Sequence, residues 1–246
     1  MVSRKQDGGT MIKLYNMDCK EMLESQEFQA DIEGKKICIV TDPPFNIGYH
    51  YNSYKDRMNE TKYLDFLKQV LTAKNCPFVV IHYPEQLYRI AAVTGAFPER
   101  VVSWVYNSNT AKQHRDIAFF GIKPDFNKVK QPYKNPSDKR IKARIAAGKT
   151  GCKLYDWWEI NQVKNVTKSA WGGVEHPCIM PLEVMKRIIG ILPEEYIIID
   201  TFMGSGTTAI ACKELGRDFI GCEIDPKYYE QAKERIFKNE QLRMTL

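Results

Sequence analysis

The chain has 246 residues, enough for one large α/β domain with a small lobe, and its 43% hydrophobic content can bury a full core. Lys and Arg number 36 against 30 Asp and Glu, a modest net charge of +6. Seven cysteines with no Cys-x-x-Cys pair argue against a zinc ribbon or a disulfide framework and for a reducing, cytoplasmic setting. The first nine residues are polar and unlike a signal peptide, and no apolar run reaches membrane-spanning length.

Residues 1–10 read as a flexible tail. Met11–Tyr15 predicts a short strand, followed by Asn16-Met17-Asp18 and an amphipathic helix from about Cys19 that Asp18 would N-cap. The apolar run Ile37-Cys38-Ile39-Val40-Thr41 predicts a buried parallel strand. It ends on Asp42-Pro43-Pro44-Phe45. Each proline locks φ and lacks an N–H, so the strand stops in a stiff turn that presents a carboxylate, free carbonyls and a ring. Open α/β sheets place their chemistry at this carboxyl edge. An exocyclic amine on a nucleobase is a poor nucleophile because its lone pair is delocalised into the ring. Two acceptors on its N–H bonds, the Asp42 carboxylate and the Pro43 carbonyl, would pull the nitrogen towards tetrahedral geometry, while Phe45 would stack on the base. Taken alone, the tetrapeptide equally suits a strand-ending turn.

Asn46 to Tyr54 is a polar, aromatic loop whose Asn46 and tyrosines are candidates for a base pocket, with a plain surface loop as the alternative. A helix over Tyr63–Ala73, a strand over Phe78–Tyr83, a helix over Glu85–Val93 and strands over Val101–Tyr106 and Ile117–Gly121 follow, an alternation that predicts a wound parallel sheet. His82 and His114 have no second ligand at a metal spacing, so no metal site is predicted. Between Gly121 and Ala170 twelve cations face four acids, a net +8 that leaves −2 for the rest of the chain. Lys139, Arg140 and Arg144 there, interleaved with Tyr155, Trp157 and Trp158, form the footprint of nucleic-acid binding, against which stands a solvated surface insertion.

His176-Pro177-Cys178-Ile179-Met180-Pro181 leads into a helix through Met185, Ile188, Ile189 and Leu192, with Pro181 suited to its first position. Tyr196–Asp200 is the cleanest strand, and it runs through Thr201-Phe202-Met203-Gly204-Ser205-Gly206-Thr207-Thr208 into a helix over Ala209–Leu215. Two glycines at a strand-to-helix turn let a ligand approach the backbone, and the helix start offers unpaired N–H groups. Phe219–Glu223 is a strand ending in an acid that can bind both ribose hydroxyls or stand as a surface charge. Asp225 would cap the last helix, Lys227–Phe237.

Asp42-Pro43-Pro44-Phe45 resembles the Asp/Asn/Ser-Pro-Pro-Tyr/Phe motif of the S-adenosylmethionine-dependent DNA amino-methyltransferases. Asp200-x-Phe202-x-Gly204-x-Gly206-Thr207-Thr208, followed by the strand-ending Glu223, resembles their donor-binding signature, and the order of the two is similar to the beta class. The resemblance implies an α/β, Rossmann-like sheet of seven strands with helices on both faces, one antiparallel edge hairpin and a small inserted target-recognition lobe. It implies a catalytic half over 11–120, the lobe over 121–170 and a donor half over 171–246. S-adenosylmethionine is the implied cofactor, held by Asp18, Asp200, Phe202, Gly204, Ser205, Gly206, Thr207, Thr208 and Glu223. Asp42, Pro43, Pro44 and Phe45 would act on a base flipped out of double-stranded DNA, with Asn46, Lys139, Arg140 and Arg144 on the substrate. A homodimer and a restriction endonuclease are the implied protein partners.

The chain departs from the family pattern where Asn16-Met17-Asp18 replaces Gly-Asp and where Met180 stands for the Lys that usually follows His-Pro. Ala209 in place of a third glycine weighs against a nicotinamide enzyme, and no carbon-5 cytosine type of Pro-Cys nucleophile motif is found. Asp at position 42 favours adenine N6 as the acceptor. Cytosine N4 in DNA, an RNA substrate, and a catalytically silent nucleic-acid-binding subunit are the alternatives, the last opposed by an intact Asp42, Phe45, Gly204 and Glu223.

Overall fold

A computed structural model describes residues 2–7, 9–49, 53–163 and 179–238, with backbone alone for 3–7 and 238. The first half of the chain supplies strands β1 (Val2–Asp7), β2 (Thr10–Asn16), β3 (Lys36–Thr41), β4 (Phe78–His82), β5 (Pro98–Val105) and β6 (His114–Phe120). Two short strands, β7 (Lys130–Gln131) and β8 (Cys152–Lys153), pair with each other apart from the main sheet. Strands β9 (Trp157–Glu159), β10 (Tyr196–Asp200) and β11 (Phe219–Glu223) complete the set. The main sheet has nine strands in the order β1-β2-β11-β10-β3-β4-β6-β5-β9. Its inner seven match the expected seven-stranded sheet; β1 and β9 extend it at either edge. Only β1 and β6 run against the rest.

The sheet separates two apolar layers because successive side chains of a strand point to opposite faces. On β3, Cys38 and Val40 pack in one layer and Ile37 and Ile39 in the other. The first layer takes up α6 (Leu182–Gly190), α7 (Thr207–Glu214) and α8 (Pro226–Lys238) through Ile188, Ile189, Ala209 and Tyr229. The second takes up α1 (Cys19–Glu24), α3 (Glu60–Thr72) and α4 (Pro84–Thr94) through Met22, Leu67, Leu71 and Ile90. Helix α2 (Gln26–Ile32) is separate from α1 because Ser25 ends one and caps the other, its Oγ accepting from Phe28 N–H at 3.2 Å. Pro181 precedes α6 as its cap residue rather than opening it. Among the described residues no helix is long and apolar enough to cross a membrane.

Two expectations change. Residues 2–7, read as a flexible tail, form β1 and pair with β2 from Val2↔Tyr15 to Asp7↔Thr10. The outer edge of β2 would otherwise leave a row of ladder N–H and C=O groups unpaired, and β1 satisfies them by backbone alone. The stretch 121–170, read as a small inserted lobe, also contributes to the main sheet through its described residues. Its β7–β8 ribbon and the exposed helix α5 (Lys139–Ala146) lie outside the main sheet, but β9 pairs in parallel with β5 and Leu154 and Trp158 are buried in the first apolar layer.

Trp157 and Trp158 show the period-2 rule directly: the first is 41% exposed under the ammonium of Lys134, the second 0% exposed with its indole N–H on Tyr155 O at 2.8 Å. Trp158→Ala should therefore lower unfolding free energy by about 3–5 kcal/mol, and Trp157→Ala by no more than about 1 kcal/mol. Urea denaturation of both variants checks this; equal losses would place the two rings in similar surroundings.

Candidate active site

The carboxyl ends of β3, β10 and β11 open on one cavity of about 530 Å³, lined among others by Asp18, Asp42, Phe45, Gly204 and Glu223. This volume is within the range of small-molecule sites, roughly 300–1,000 Å³. Both motifs singled out in the sequence therefore face a single space.

Asp42 stands where β3 stops. Its Oδ2 lies 3.6 Å from Nη1 of Arg115 on β6. Its Oδ1 is buried and has no hydrogen-bond partner among the described residues. Burial pushes the carboxyl up to about 6, with Arg115 pulling the other way and Asp200 adding to the rise. A carboxylate held this close to neutral pH, with one oxygen uncommitted, is an acceptor waiting for a donor.

Phe45 is stacked on His82, with ring centroids 4.2 Å apart, and meets Tyr83 edge-on at 4.9 Å. The Arg115 guanidinium lies 4.7 Å from its centroid, so a base that stacks on Phe45 does so beside or in place of that cation. His82 is no ordinary strand-end residue. Its Nδ1 accepts from Tyr83 N–H at 2.8 Å, which leaves the proton of the neutral ring on Nε2. Nε2 then donates to Tyr63 Oη at 2.8 Å, and Tyr63 donates to Pro44 O at 2.6 Å. Burial and the nearby Arg115 push the imidazole down to about 3, so it stays neutral and the chain of bonds has one direction. That chain takes the Pro44 carbonyl out of play and pins the turn.

The loop after Phe45 is held by Asp56, whose carboxylate accepts from Asn46 N–H at 2.7 Å, Ile47 N–H at 3.1 Å and Tyr49 N–H at 2.9 Å. Asn46 adopts the left-handed region at φ 58°. Its amide donates to Met58 O at 3.0 Å and accepts from Met58 N–H at 2.6 Å. Both ends of Asn46 are thus bonded to the loop. Ser53 Oγ donates to Asp225 Oδ2 at 2.6 Å and ties the loop to the far side of the cavity.

On that far side, several residues expected to hold a donor are bonded to one another or to their neighbours. Asp200 is 3% exposed; its Oδ1 accepts from Thr41 Oγ1 at 2.9 Å and Phe202 N–H at 3.1 Å, and its Oδ2 from Thr208 Oγ1 at 2.6 Å. Thr207 Oγ1 and Ser205 O accept from Arg235 of α8 at 3.0 and 2.8 Å. Gly206 sits at φ 77°, where a Cβ would come within 2.8 Å of Ile236 Cδ1, so this turn requires glycine. Asp18 caps α1 through Lys20 N–H at 2.8 Å and also lines the cavity. Phe202 lines it too, edge-on to Phe66 at 5.8 Å. Glu223 accepts from Gly204 N–H at 3.0 Å and Asp225 N–H at 2.9 Å, and burial pushes it up to about 7.

Lys139, Arg140 and Arg144 do not join this cavity. They stand on α5, which buries no residue, and the two arginines line a separate hollow of about 330 Å³ with Tyr133 and Tyr155. His176 and Pro177 lie outside the described residues; Met180, in the place of the family Lys, lines the cavity. Among the described residues no cluster of three His, Cys, Asp or Glu could hold a metal ion. Arg115, Tyr63, Asp56 and Arg235 were not singled out in the sequence. Arg115 lies between His114 and Asp116 at the polar start of β6, so no break in the apolar pattern marked it.

A family model described as DNA methylase, of the N6/N4 type, matches residues 37–234. The Type II methyltransferase M.HpaI of Haemophilus parainfluenzae is 28% identical over 222 residues, covering 80% of this chain and 67% of that protein. The Type II methyltransferase M1.MboII of Moraxella bovis is 26% identical over 262 residues, covering 89% and 94%. Among solved structures, the M1.HpyAVI–SAM complex aligns with a TM-score of 0.61 at 24% identity, over 92% of this chain and 100% of that one. The PvuII DNA methyltransferase, described as cytosine-N4-specific, aligns with a TM-score of 0.61 at 18% identity, over 95% and 90%. These two alignments establish the shared Rossmann-like fold.

Proposed function

Since this chain belongs to the N6/N4 family of DNA methylases, we propose that it transfers a methyl group from S-adenosylmethionine to N6 of an adenine flipped out of double-stranded DNA. The observation that carries this reading is the Asp42 carboxylate, which lines the same cavity as Gly204 and Glu223 and has one oxygen without a hydrogen-bond partner among the described residues. An amine inside a base pair cannot reach such a group, so the base must leave the stack.

The residues present fit the donor. Glu223 is a half-buried acid at a strand end, suited to ribose hydroxyls. The Gly204–Gly206 turn lets a ligand approach the backbone, and Asp18 and Phe202 border the same space. The SAM complex of the structural neighbour M1.HpyAVI supports the same choice. When bound, S-adenosylmethionine supplies a methyl group on a positively charged sulfur. The chain's own task is to make the amine attack. The Asp42 carboxylate accepts one amine N–H and the Pro43 carbonyl the other, which frees the nitrogen lone pair. Positive charge then grows on nitrogen next to a half-buried carboxylate, so Asp42 acts more strongly in the transition state than in the ground state. Phe45 supports the flipped base by stacking. The basic α5 and the aromatic hollow beside it support a recognition role for 121–170 on DNA.

Asp42→Ala should cut turnover about 10²-fold or more while donor affinity stays near wild type, and Asp42→Asn should keep partial activity at most. The assay transfers labelled methyl to DNA and digests the product to nucleosides. N6-methyladenine is expected; label on cytosine N4 would replace adenine in this reading, and an undiminished Asp42→Ala variant would remove Asp42 from the chemistry.

Donor binding should depend on pH through Glu223. The ionised form accepts from ribose hydroxyls, and protonation removes acceptor capacity, so affinity should fall as pH drops below about 7. Glu223→Ala should weaken binding by about 1–3 kcal/mol and abolish this dependence. Calorimetry between pH 6 and 8 checks both; a wild-type affinity that is flat across this range would contradict the ribose role.

A further inference from the structure

Among the described residues, Arg115 is the cation paired with Asp42 at the proposed methyl-accepting site, and nothing in the two sequence motifs accounts for it. It is 8% exposed on β6, directly opposite Trp104 of β5 in the ladder. Its guanidinium carbon lies 4.7 Å from the Phe45 ring centroid, 5.5 Å from Trp104 and 6.0 Å from Tyr106. Three aromatic rings around a planar cation hold it by the negative faces of their π systems and keep water away from it. From that seat Nη1 points to Asp42 Oδ2 at 3.6 Å and leaves Oδ1 free for another partner.

The geometry points to Arg115 as a positioning residue of the reaction: seated among Phe45, Trp104 and Tyr106, it holds the Asp42 carboxylate ionised and oriented for the incoming amine. This role rests on the base-site reading given above. The physical reason is the placement of Asp42 at the end of a buried strand. Burial favours the protonated acid, and a protonated Asp42 would offer the amine a hydroxyl where an acceptor is needed. Other groups near Asp42 do not supply the missing positive charge. Asp200 on β10 raises the acid further. Burial keeps Tyr63 on α3 protonated, and His82 on β4 is held neutral. Lys112, in the loop before β6, lies over Tyr83 and pairs with Glu85. Among the described residues, Arg115 is the cation left to oppose desolvation at Asp42.

The test compares Arg115→Lys, which keeps the charge, with Arg115→Gln and Arg115→Met, which remove it. Asp42 is followed by carbon-13 NMR of its carboxyl, assigned by the loss of its signal in Asp42→Asn, and donor binding by calorimetry reports folding. In wild type the carboxyl should titrate near 6. It should move up by about one unit or more in both neutral variants and stay near wild type in Arg115→Lys. The acid limb of kcat/KM for methyl transfer should move with it, so that the neutral variants regain activity at high pH. A purely structural arginine would lower activity equally at every pH without moving the limb. Neutral variants whose Asp42 titrates as in wild type would overturn the role, and so would failure of both to bind donor, which would assign Arg115 to folding. Absence of methyl transfer by the wild type would instead count against the function proposed above, because the carboxyl titration needs no turnover.

Discussion

The buried carboxylate of Asp200 is the group that joins the two halves of the cavity. Taking a charge out of water costs several kcal/mol unless donors replace the lost hydration. Here three do: Thr41 Oγ1, Phe202 N–H and Thr208 Oγ1. Each comes from a different part of the site. Thr41 is the last residue of β3 and immediately precedes Asp42, Phe202 opens the glycine turn, and Thr208 lies in the first turn of α7. Adjacent parallel strands lie about 4.8 Å apart wherever they pair, but their ends are free to splay. Asp200 removes that freedom at β3 and β10, and Thr201 Oγ1 adds a bond to Thr41 Oγ1 at 3.3 Å. The position of Asp42 relative to the Gly204 turn follows from this clamp.

The rest of the site repeats the pattern on either side. His82 and Tyr63 take up the Pro44 carbonyl, Asp56 takes up three N–H groups of the next loop, and Arg235 takes up Ser205 O and Thr207 Oγ1. Each of these groups is satisfied by a partner within the chain. Asp42 Oδ1 has none among the described residues. Supporting polar groups that are already saturated cannot reorient when a ligand arrives, which is what preorganisation requires of an active site.

The strands that carry the site were legible in sequence because buried parallel strands are continuous apolar runs, and Pro43-Pro44 and Gly204-x-Gly206 punctuate their ends. What a polar residue does at such an end was less legible. Asp200 and Asn46 stand where ligand contacts were expected, yet their oxygens are spent on Thr41, Thr208 and Met58, because a sequence names a donor or acceptor without naming its partner. The strand β1 carries no apolar period, since it is held by backbone pairing to β2, and it read as a tail. Strand direction is also absent from a hydropathy pattern; the resemblance implied an antiparallel edge hairpin, but nothing showed that β6 would bring Arg115 over Phe45 and beside Asp42. Trp158 read as part of a DNA-facing aromatic group, whereas alternation along β9 turns it into the core.

The central claim is that the Thr41–Asp200 bond sets where Asp42 stands relative to the donor turn. Thr41→Val removes that bond while nearly preserving shape, and single-turnover methyl transfer to DNA at saturating donor measures the consequence. A displaced acceptor loses rate without losing ligand, so the rate should fall about 10-fold or more while donor affinity changes by no more than about threefold. A Thr41→Val rate equal to wild type would contradict the account.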